Sequence, residues 1–192
     1  MPLFFRRSLL LLLLNGALAG AAIQATAQAI PTVRRGAQFT TFAQATILSP
    51  DWGQTKNHGY SLGFDYTRFV PAFIQPALEF RFTRATGRTV NEKTFLGGGK
   101  FQTTFHGIQP YAVALLGKGF ISFNYNNPGG QSDSSIVYGL GGGAEYNVTP
   151  LLKLRADFVH EHWNLDPNTL TPTTLNFGVA YTVPFHGHGG MR

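Results

Sequence analysis

The chain has 192 residues, of which 14% are aromatic and only 12% are charged, and its formal net charge is +6. Soluble domains carry about 25% charged residues, so a chain this poor in charge must hide much of its surface from water. It contains no cysteine, which excludes disulfides and cysteine metal sites, and no run of basic residues that would indicate nucleic-acid binding.

The N-terminus has the features of a secretory leader. Two early arginines precede an apolar core that begins at Leu9–Leu14, and Ala25–Ala27 offers an A-x-A cleavage site, with Ala27–Ala29 as a close competitor. The apolar stretch falls short of the ~20 residues that a membrane-spanning helix needs. We therefore predict a cleaved signal peptide over residues 1–27, followed by a periplasmic segment over residues 28–35.

After residue 35, turn residues separate eight segments in which hydrophobic and polar residues alternate with period two. Such alternation is typical of a strand with one apolar face and one polar face. The eight predicted strands, in chain order, are Gly36–Leu48, His58–Phe69, Ala77–Arg84, Thr94–Phe105, Tyr111–Tyr125, Ser135–Asn147, Leu152–Trp163 and Thr174–Phe185.

The last predicted strand shows the clearest alternation, with Phe177 and Val179 on its apolar face, and it ends in an aromatic residue, Phe185. Eight is the smallest usual number of strands in a transmembrane barrel, and the segment lengths suit strands that cross a bilayer. We predict an all-β fold, an eight-stranded antiparallel up-and-down transmembrane β-barrel over residues 36–185. A flexible tail is predicted over residues 186–192.

The polar face of these strands favours a membrane barrel over a soluble lipocalin-like barrel. A soluble barrel would expose many lysines and glutamates, whereas this face carries Gln, Thr, Ser and Gly with a few charges of both signs. Such a set suits the narrow interior of an eight-stranded barrel, where opposite charges can pair. We predict a lumen plugged by a structural polar network of Asp65, Glu79, Arg81, Lys100, Lys118, Glu145, Arg155 and Asp157.

Aromatic residues near the predicted strand ends point in the same direction. Membrane barrels carry belts of amphipathic rings at both interfaces. Residues predicted for these belts include Tyr60, Tyr111, Tyr138, Tyr146, Trp163 and Tyr181.

Four stretches carry a resemblance to a known family: Pro110–Ala112, Gly139–Gly143, Leu154–Phe158 and Asn176–Phe185. On these stretches the chain resembles the small outer-membrane β-barrel superfamily typified by the barrel domain of outer-membrane protein A. The resemblance covers Arg35–Phe185 and implies a porin-like protein of the cell outer membrane. The last stretch looks like the C-terminal signal that barrel-assembly machinery recognises.

Histidines are the main candidates for chemistry. His160 and His162 share a strand face at a spacing that suits a metal, but no third ligand is assignable, and a polar rim accounts for both. The lipid A deacylases, which the chain resembles near its C-terminus, use a histidine and a serine two residues apart. Here His162 stands two residues after His160, and Asn164 two residues after His162. We therefore expect no enzymatic activity, no cofactor and no metal.

The predicted outer loops are Pro50–Asn57, Ala85–Lys93, Asn126–Ser134 and Asn164–Pro172. Basic residues in or beside them are candidates for contact with lipopolysaccharide phosphates. They are Lys56, His58, Arg84, Arg88 and Lys93.

We predict a non-enzymatic outer-membrane barrel with a structural or surface-interaction role. Its expected partners are outer-membrane lipid, lipopolysaccharide and, during insertion, the barrel-assembly machinery. We expect a monomer that binds no nucleic acid. Three alternatives stay open: a small passive channel, a lipid-modifying outer-membrane enzyme and a soluble lipocalin-like carrier.

Overall fold

The computed structural model describes residues 35–51, 56–88, 90–123, 132–165 and 168–186. The predicted signal peptide, the predicted periplasmic segment up to residue 34 and the predicted tail after residue 186 lie outside these residues. No helix that could span a membrane occurs in this part of the chain.

The described residues form nine β-strands, and all their pairings are antiparallel. The strands are β1 (Arg35–Ser49), β2 (Asn57–Arg68), β3 (Gln75–Thr86), β4 (Val90–Gln102), β5 (Ile108–Phe123), β6 (Ser132–Asn147), β7 (Leu152–Leu165), β8 (Asn168–Leu170) and β9 (Thr173–His186). The eight long strands correspond to the eight predicted ones. The short β8 lies in a predicted loop.

The long strands close into a ring. Strands β1 to β7 pair in chain order, and β9 pairs with both β1 and β7. The short β8 pairs with the end of β7, where Leu170 stands opposite Trp163. A closed ring satisfies the backbone groups of every strand in it, as strands that cross a bilayer require. The predicted eight-stranded antiparallel barrel is confirmed.

The two ends of the barrel differ in their connections. At one end, which we call the turn end, β2, β4 and β6 lead into β3, β5 and β7 through residues 69–74, 103–107 and 148–151. The second of these turns is tight because His106 and Gly107 both have positive φ angles, 48° and 84°, as in the hairpin turns that match strand twist. Bacterial outer-membrane barrels keep short turns on the periplasmic side. By this pattern we expect the opposite end, which we call the loop end, to face outward from the cell.

Side chains alternate between the lumen and the outer wall along each long strand. In β1, for example, Gln38, Thr40 and Gln44 are buried, while Thr41 and Ala43 are exposed. The outer wall is apolar, with exposed side chains that include Leu78, Phe80, Leu140, Phe158 and Phe177. These faces match the prediction for seven of the eight strands.

The predicted faces of the fifth strand are wrong. Alternation places the hydrophobic side chains of this strand, such as Tyr111 and Val113, against lipid, but both are buried in the lumen. Opposing residues in a ladder point to the same face of the sheet, and Tyr111 stands opposite Gln102 while Val113 stands opposite Lys100. The neighbouring strand therefore decides the orientation, and hydrophobicity alone gives the wrong answer where the lumen itself is partly apolar.

The predicted loop Ala85–Lys93 is also wrong in extent. The β3 strand continues to Thr86, β4 already begins at Val90, and the two strands pair throughout. Polar residues such as Asn91 and Lys93 suggest a loop by composition, but the end of a barrel strand projects past the hydrocarbon and tolerates them. Consequently Glu92 faces the lumen and is buried.

Exposed tyrosines form a belt near each end of the barrel. They are Tyr66, Tyr146 and Tyr181 toward the turn end, and Tyr60 and Tyr138 toward the loop end. Such belts mark the two membrane interfaces. Tyr111 and Trp163, predicted for these belts, lie in the lumen instead, because they occupy lumen-facing positions of β5 and β7.

Candidate functional site

The lumen is organised around one arginine of β7. The Arg155 guanidinium forms salt bridges with four carboxylates that reach it from four different strands. Its Nη2 lies 2.7 Å from Glu79 and its Nε 3.2 Å from Asp157. Its Nη1 lies 3.3 Å from Asp65 and 3.2 Å from Glu145. Arg155 is thus the hub of the network.

Three more cations complete the set. Arg81 bridges Glu79 at 2.8 Å and Asp157 at 2.9 Å. Lys100 bridges Asp65 at 3.1 Å and also bonds Glu145. Lys153 bonds the second oxygen of Glu145 at 2.9 Å. We call these eight residues the ionic network: Asp65, Glu79, Glu145, Asp157, Arg81, Lys100, Lys153 and Arg155.

The ionic network is balanced, with four carboxylates and four cations, and all eight side chains are almost fully buried. Burying an unpaired charge would be very unfavourable, whereas a buried charge with partners of opposite sign is tolerated. Each carboxylate here touches at least two cations. The network therefore fills this part of the lumen as a neutral unit.

The structure brings together seven of the eight residues that the sequence suggested for this network. The exception is Lys118, whose predicted place in the lumen is wrong. It is exposed on the outer wall, with its Nζ 5.4 Å from the centre of the Phe120 ring. Its ladder partners Phe95 and Ile136 also face outward, so the whole strand parity excludes it from the lumen.

Neutral side chains hold the network in place. The Tyr111 hydroxyl donates to Asp157 at 2.7 Å, and the Gln44 and Asn176 amides donate to the same carboxylate at 3.1 and 2.7 Å. The guanidinium of Arg155 lies 3.9 Å from the centre of the Phe42 ring. Lys153 shares the polar parity of Arg155 and Asp157, which marks it for the lumen, but its bond to Glu145 and the roles of the neutral partners depend on contacts between strands.

Toward the loop end, the lumen changes from ionic to apolar on one side. Buried residues of β4 to β8 form a hydrophobic cluster: Val90, Leu96, Tyr111, Val113, Leu115, Ile121, Val137, Val159, Trp163 and Leu170. Gly119 makes room for the indole of Trp163, because a Cβ atom at Gly119 would lie 2.5 Å from it. At the outward-facing Gly99, by comparison, a Cβ would lie 3.5 Å from Phe101, an ordinary contact.

The other side of this region is lined by hydroxyl groups. Ser61 bonds Thr46 at 2.9 Å and Thr83 at 2.8 Å, and Thr46 donates to Asn176 at 2.7 Å. This chain of hydrogen bonds links β9, β1, β2 and β3. Side chains thus occupy the lumen on both sides.

Two buried glutamates near the loop end stand apart from the ionic network. Glu92 and Glu161 line one small cavity together with Thr94. Glu161 accepts a hydrogen bond from Trp163 at 2.9 Å, whereas Glu92 Oε2 and Thr94 Oγ1 have no hydrogen-bond partner among the described residues. Glu92 is therefore a buried carboxyl group of which one oxygen accepts no hydrogen bond from the described residues.

His160 and His162 lie on the outer wall, as their shared face predicts. His160 Nδ1 is 2.9 Å from the hydroxyl of Thr173, and the His162 ring stacks on Tyr138 with 4.6 Å between centroids. Both histidines thus belong to the loop-end rim. No group of three or more potential metal ligands occurs in the described ranges.

Comparisons with known proteins agree with this architecture. A family model described as the outer membrane protein beta-barrel domain matches residues 9–182. A search of curated proteins found no match. Solved structures with a similar fold include Neisserial surface protein A, at 18% identity and a TM-score of 0.52, covering 76% of this chain and 96% of the other.

Two further structures show the same likeness. The attachment invasion locus protein of Yersinia pestis is 17% identical with a TM-score of 0.51, over 77% of this chain and 97% of the other. A major outer membrane protein of Thermus thermophilus is 14% identical with a TM-score of 0.52, over 77% and 99%. At these identities the likeness concerns the fold alone. On the family match and the closed barrel, this chain belongs to the outer membrane protein beta-barrel domain family, and its location is the cell outer membrane.

Proposed function

We propose that this protein is a non-enzymatic outer-membrane barrel with a closed lumen, and that it acts through its outer surface in a structural or surface-interaction role. The observation that carries the proposal is the neutral ionic network centred on Arg155, stacked against the hydrophobic cluster around Trp163. A permeation path needs a connected, water-filled space. Side chains that pack together and pair with one another fill the lumen and leave little room for such a space.

Conductance across a planar bilayer tests the closed lumen. The purified mature chain, folded in detergent and reconstituted, is expected to give no stable conductance steps, beside a large porin as positive control. The paired variant Glu79→Ser with Arg81→Ser removes one carboxylate and one cation, together with three salt bridges, and keeps the charge balance, so it is expected to conduct more than the wild type. Regular steps from the wild-type protein would favour the alternative of a small passive channel.

The proposal includes no catalytic residues. His160 and His162 already contact Thr173 and Tyr138 on the outer wall, and no serine stands two residues from either histidine on their strand. Mass spectrometry of lipid A from cells that express the protein is expected to show no new species. A shifted lipid A mass that depends on His160 would contradict the proposal and favour the lipid-modifying enzyme.

The proposed partners follow from the barrel itself. Insertion by the barrel-assembly machinery through β9 is supported by the place of this strand, which closes the ring by pairing with β1 over almost its whole length. A closed ring offers no strand edge to a second copy, which supports a monomer. Size-exclusion chromatography with light scattering in detergent is expected to give one chain per micelle, and a stable dimer mass would contradict this.

A further inference from the structure

Three exposed cations stand side by side on the outer wall of β3, β4 and β5. Arg84 and Lys93 are directly opposite each other in the β3–β4 ladder. Lys118 stands opposite Phe95, two residues from Lys93 along β4. We call Arg84, Lys93 and Lys118 the basic strip. Like charges directly opposite each other destabilise a ladder, so this arrangement favours an anion bound between them.

The basic strip lies at the level of the membrane interface. Tyr60 of the loop-end belt is directly opposite Arg84. Lys118 is opposite Ile136, only two residues beyond Tyr138 of the same belt. Lipid headgroups lie at the level of such belts. The strip therefore faces the headgroups of the outer leaflet rather than open solvent.

Acidic residues are sorted away from this wall. Six carboxyl side chains of the described strands are buried in the lumen: Asp65, Glu79, Glu92, Glu145, Asp157 and Glu161. Exposed acids of the described chain are Asp51 and Asp133, both at or near the loop end, and Asp133 lines one cavity with Lys93. Three cations against this one neighbouring carboxylate of the described chain leave the outer wall at the basic strip with a positive potential, which attracts anions.

An apolar groove begins directly below the basic strip, toward the turn end. Phe82 and Phe95 stand opposite each other two residues below the Arg84–Lys93 pair, and Leu116 stands opposite Gly97. These side chains line one groove on the outer wall, and the outward-facing Gly97 has no side chain to fill it. This part of the outer wall therefore carries the basic strip toward the loop end and the apolar groove toward the turn end.

We infer that this part of the wall is a binding site for the phosphorylated glycolipid of the outer leaflet, with the basic strip on its phosphates and the groove on an acyl chain. The inference rests on the surface-interaction part of the proposed function and is independent of the closed lumen. Adjacent strands lie about 4.8 Å apart, so three strands spread the cations over about 10 Å. That span suits two phosphates of one headgroup better than the single phosphate of a phospholipid.

Native mass spectrometry of the mature protein in detergent provides the test. The probes are bis-phosphorylated hexa-acyl lipid A, phosphatidylglycerol and phosphatidylcholine. The test variant carries Arg84→Gln, Lys93→Gln and Lys118→Gln, and the matched control is Arg68→Gln, which removes an exposed cation of the outer wall near the turn end. The unboiled gel shift of each variant, on both lipid-free and lipid-bound protein, reports that the barrel is folded.

The wild type and the Arg68 variant are expected to bind one lipid A molecule at least tenfold more tightly than phosphatidylglycerol. The triple variant is expected to lose about tenfold or more, since charge-assisted bonds to phosphate are lost. Equal lipid A affinity in the folded triple variant would overturn the inference. Equal affinity of the wild type for both anionic lipids would overturn it too, since that result indicates general charge attraction. The closed lumen is tested separately by conductance, so neither lipid-binding result bears on that part of the proposed function.

Discussion

Replacing Arg155 with methionine tests whether the ionic network stabilises the barrel as a unit. Methionine fills much of the space of the arginine stem but removes four salt bridges and leaves the ionic network with one excess negative charge. Removing one partner of a buried ion pair typically destabilises a protein by about 3–5 kcal/mol. We expect the Arg155 variant to fall within this range.

The structure places the expected loss toward the lower end of that range. Each carboxylate that loses Arg155 keeps another cation: Glu79 and Asp157 keep Arg81, while Asp65 and Glu145 keep Lys100. We therefore expect a loss of about 3 kcal/mol in the free energy of unfolding. A urea titration of protein folded in lipid vesicles measures it, with the unboiled gel shift as the readout of folded barrel.

Two further variants sharpen the experiment. Arg68→Met removes an arginine from the outer wall, where it is exposed and lies outside the basic strip, and is expected to change stability by no more than about 0.5 kcal/mol. The double variant Arg155→Met with Glu79→Gln restores the charge balance, so its loss is expected to be smaller than the sum of the two single losses. A loss below about 1 kcal/mol for Arg155→Met, or strict additivity in the double variant, would refute a coupled network.

Three other substitutions probe the lumen and the outer wall. Glu92→Gln is expected to leave stability unchanged or to raise it by up to about 1 kcal/mol, because it replaces a buried ionisable carboxyl group next to Glu161 with a neutral amide; a loss in the urea titration would contradict this. Gly119→Ala is expected to cost about 1–3 kcal/mol through its clash with the indole in the lumen, while Gly99→Ala is expected to be nearly neutral; equal effects would count against the packing. Phe177→Arg is expected to cost about 2–4 kcal/mol because the charge enters hydrocarbon, with Phe177→Leu as control, and a cost below that of the leucine variant would argue against a lipid-facing position.

The sequence alone determined the architecture, because the relevant signals are local. Period-two alternation identifies a strand within its own residues, as in Phe177 and Val179 of the last strand. The turn residues between the segments give the number of strands. The scarcity of charged residues indicates that the outer face meets lipid. The same alternation assigned all eight network candidates to the lumen, and seven of them lie there, since a charge on the polar parity of a barrel strand has few other places to go.

Only the tertiary structure decided the details that depend on neighbouring strands. Lys118 lies on the outer wall and Tyr111 in the lumen, the reverse of the prediction, because β4 and β6 set the register of β5. Glu92 enters the lumen because β3 and β4 pair beyond the hydrocarbon, a stretch that composition marks as a loop. Lys153 joins the ionic network, and Lys118 joins Arg84 and Lys93 on the outer wall, through contacts between strands. Alternation specifies two faces for each strand, but which face points inward depends on the register with its partners, which no single strand encodes.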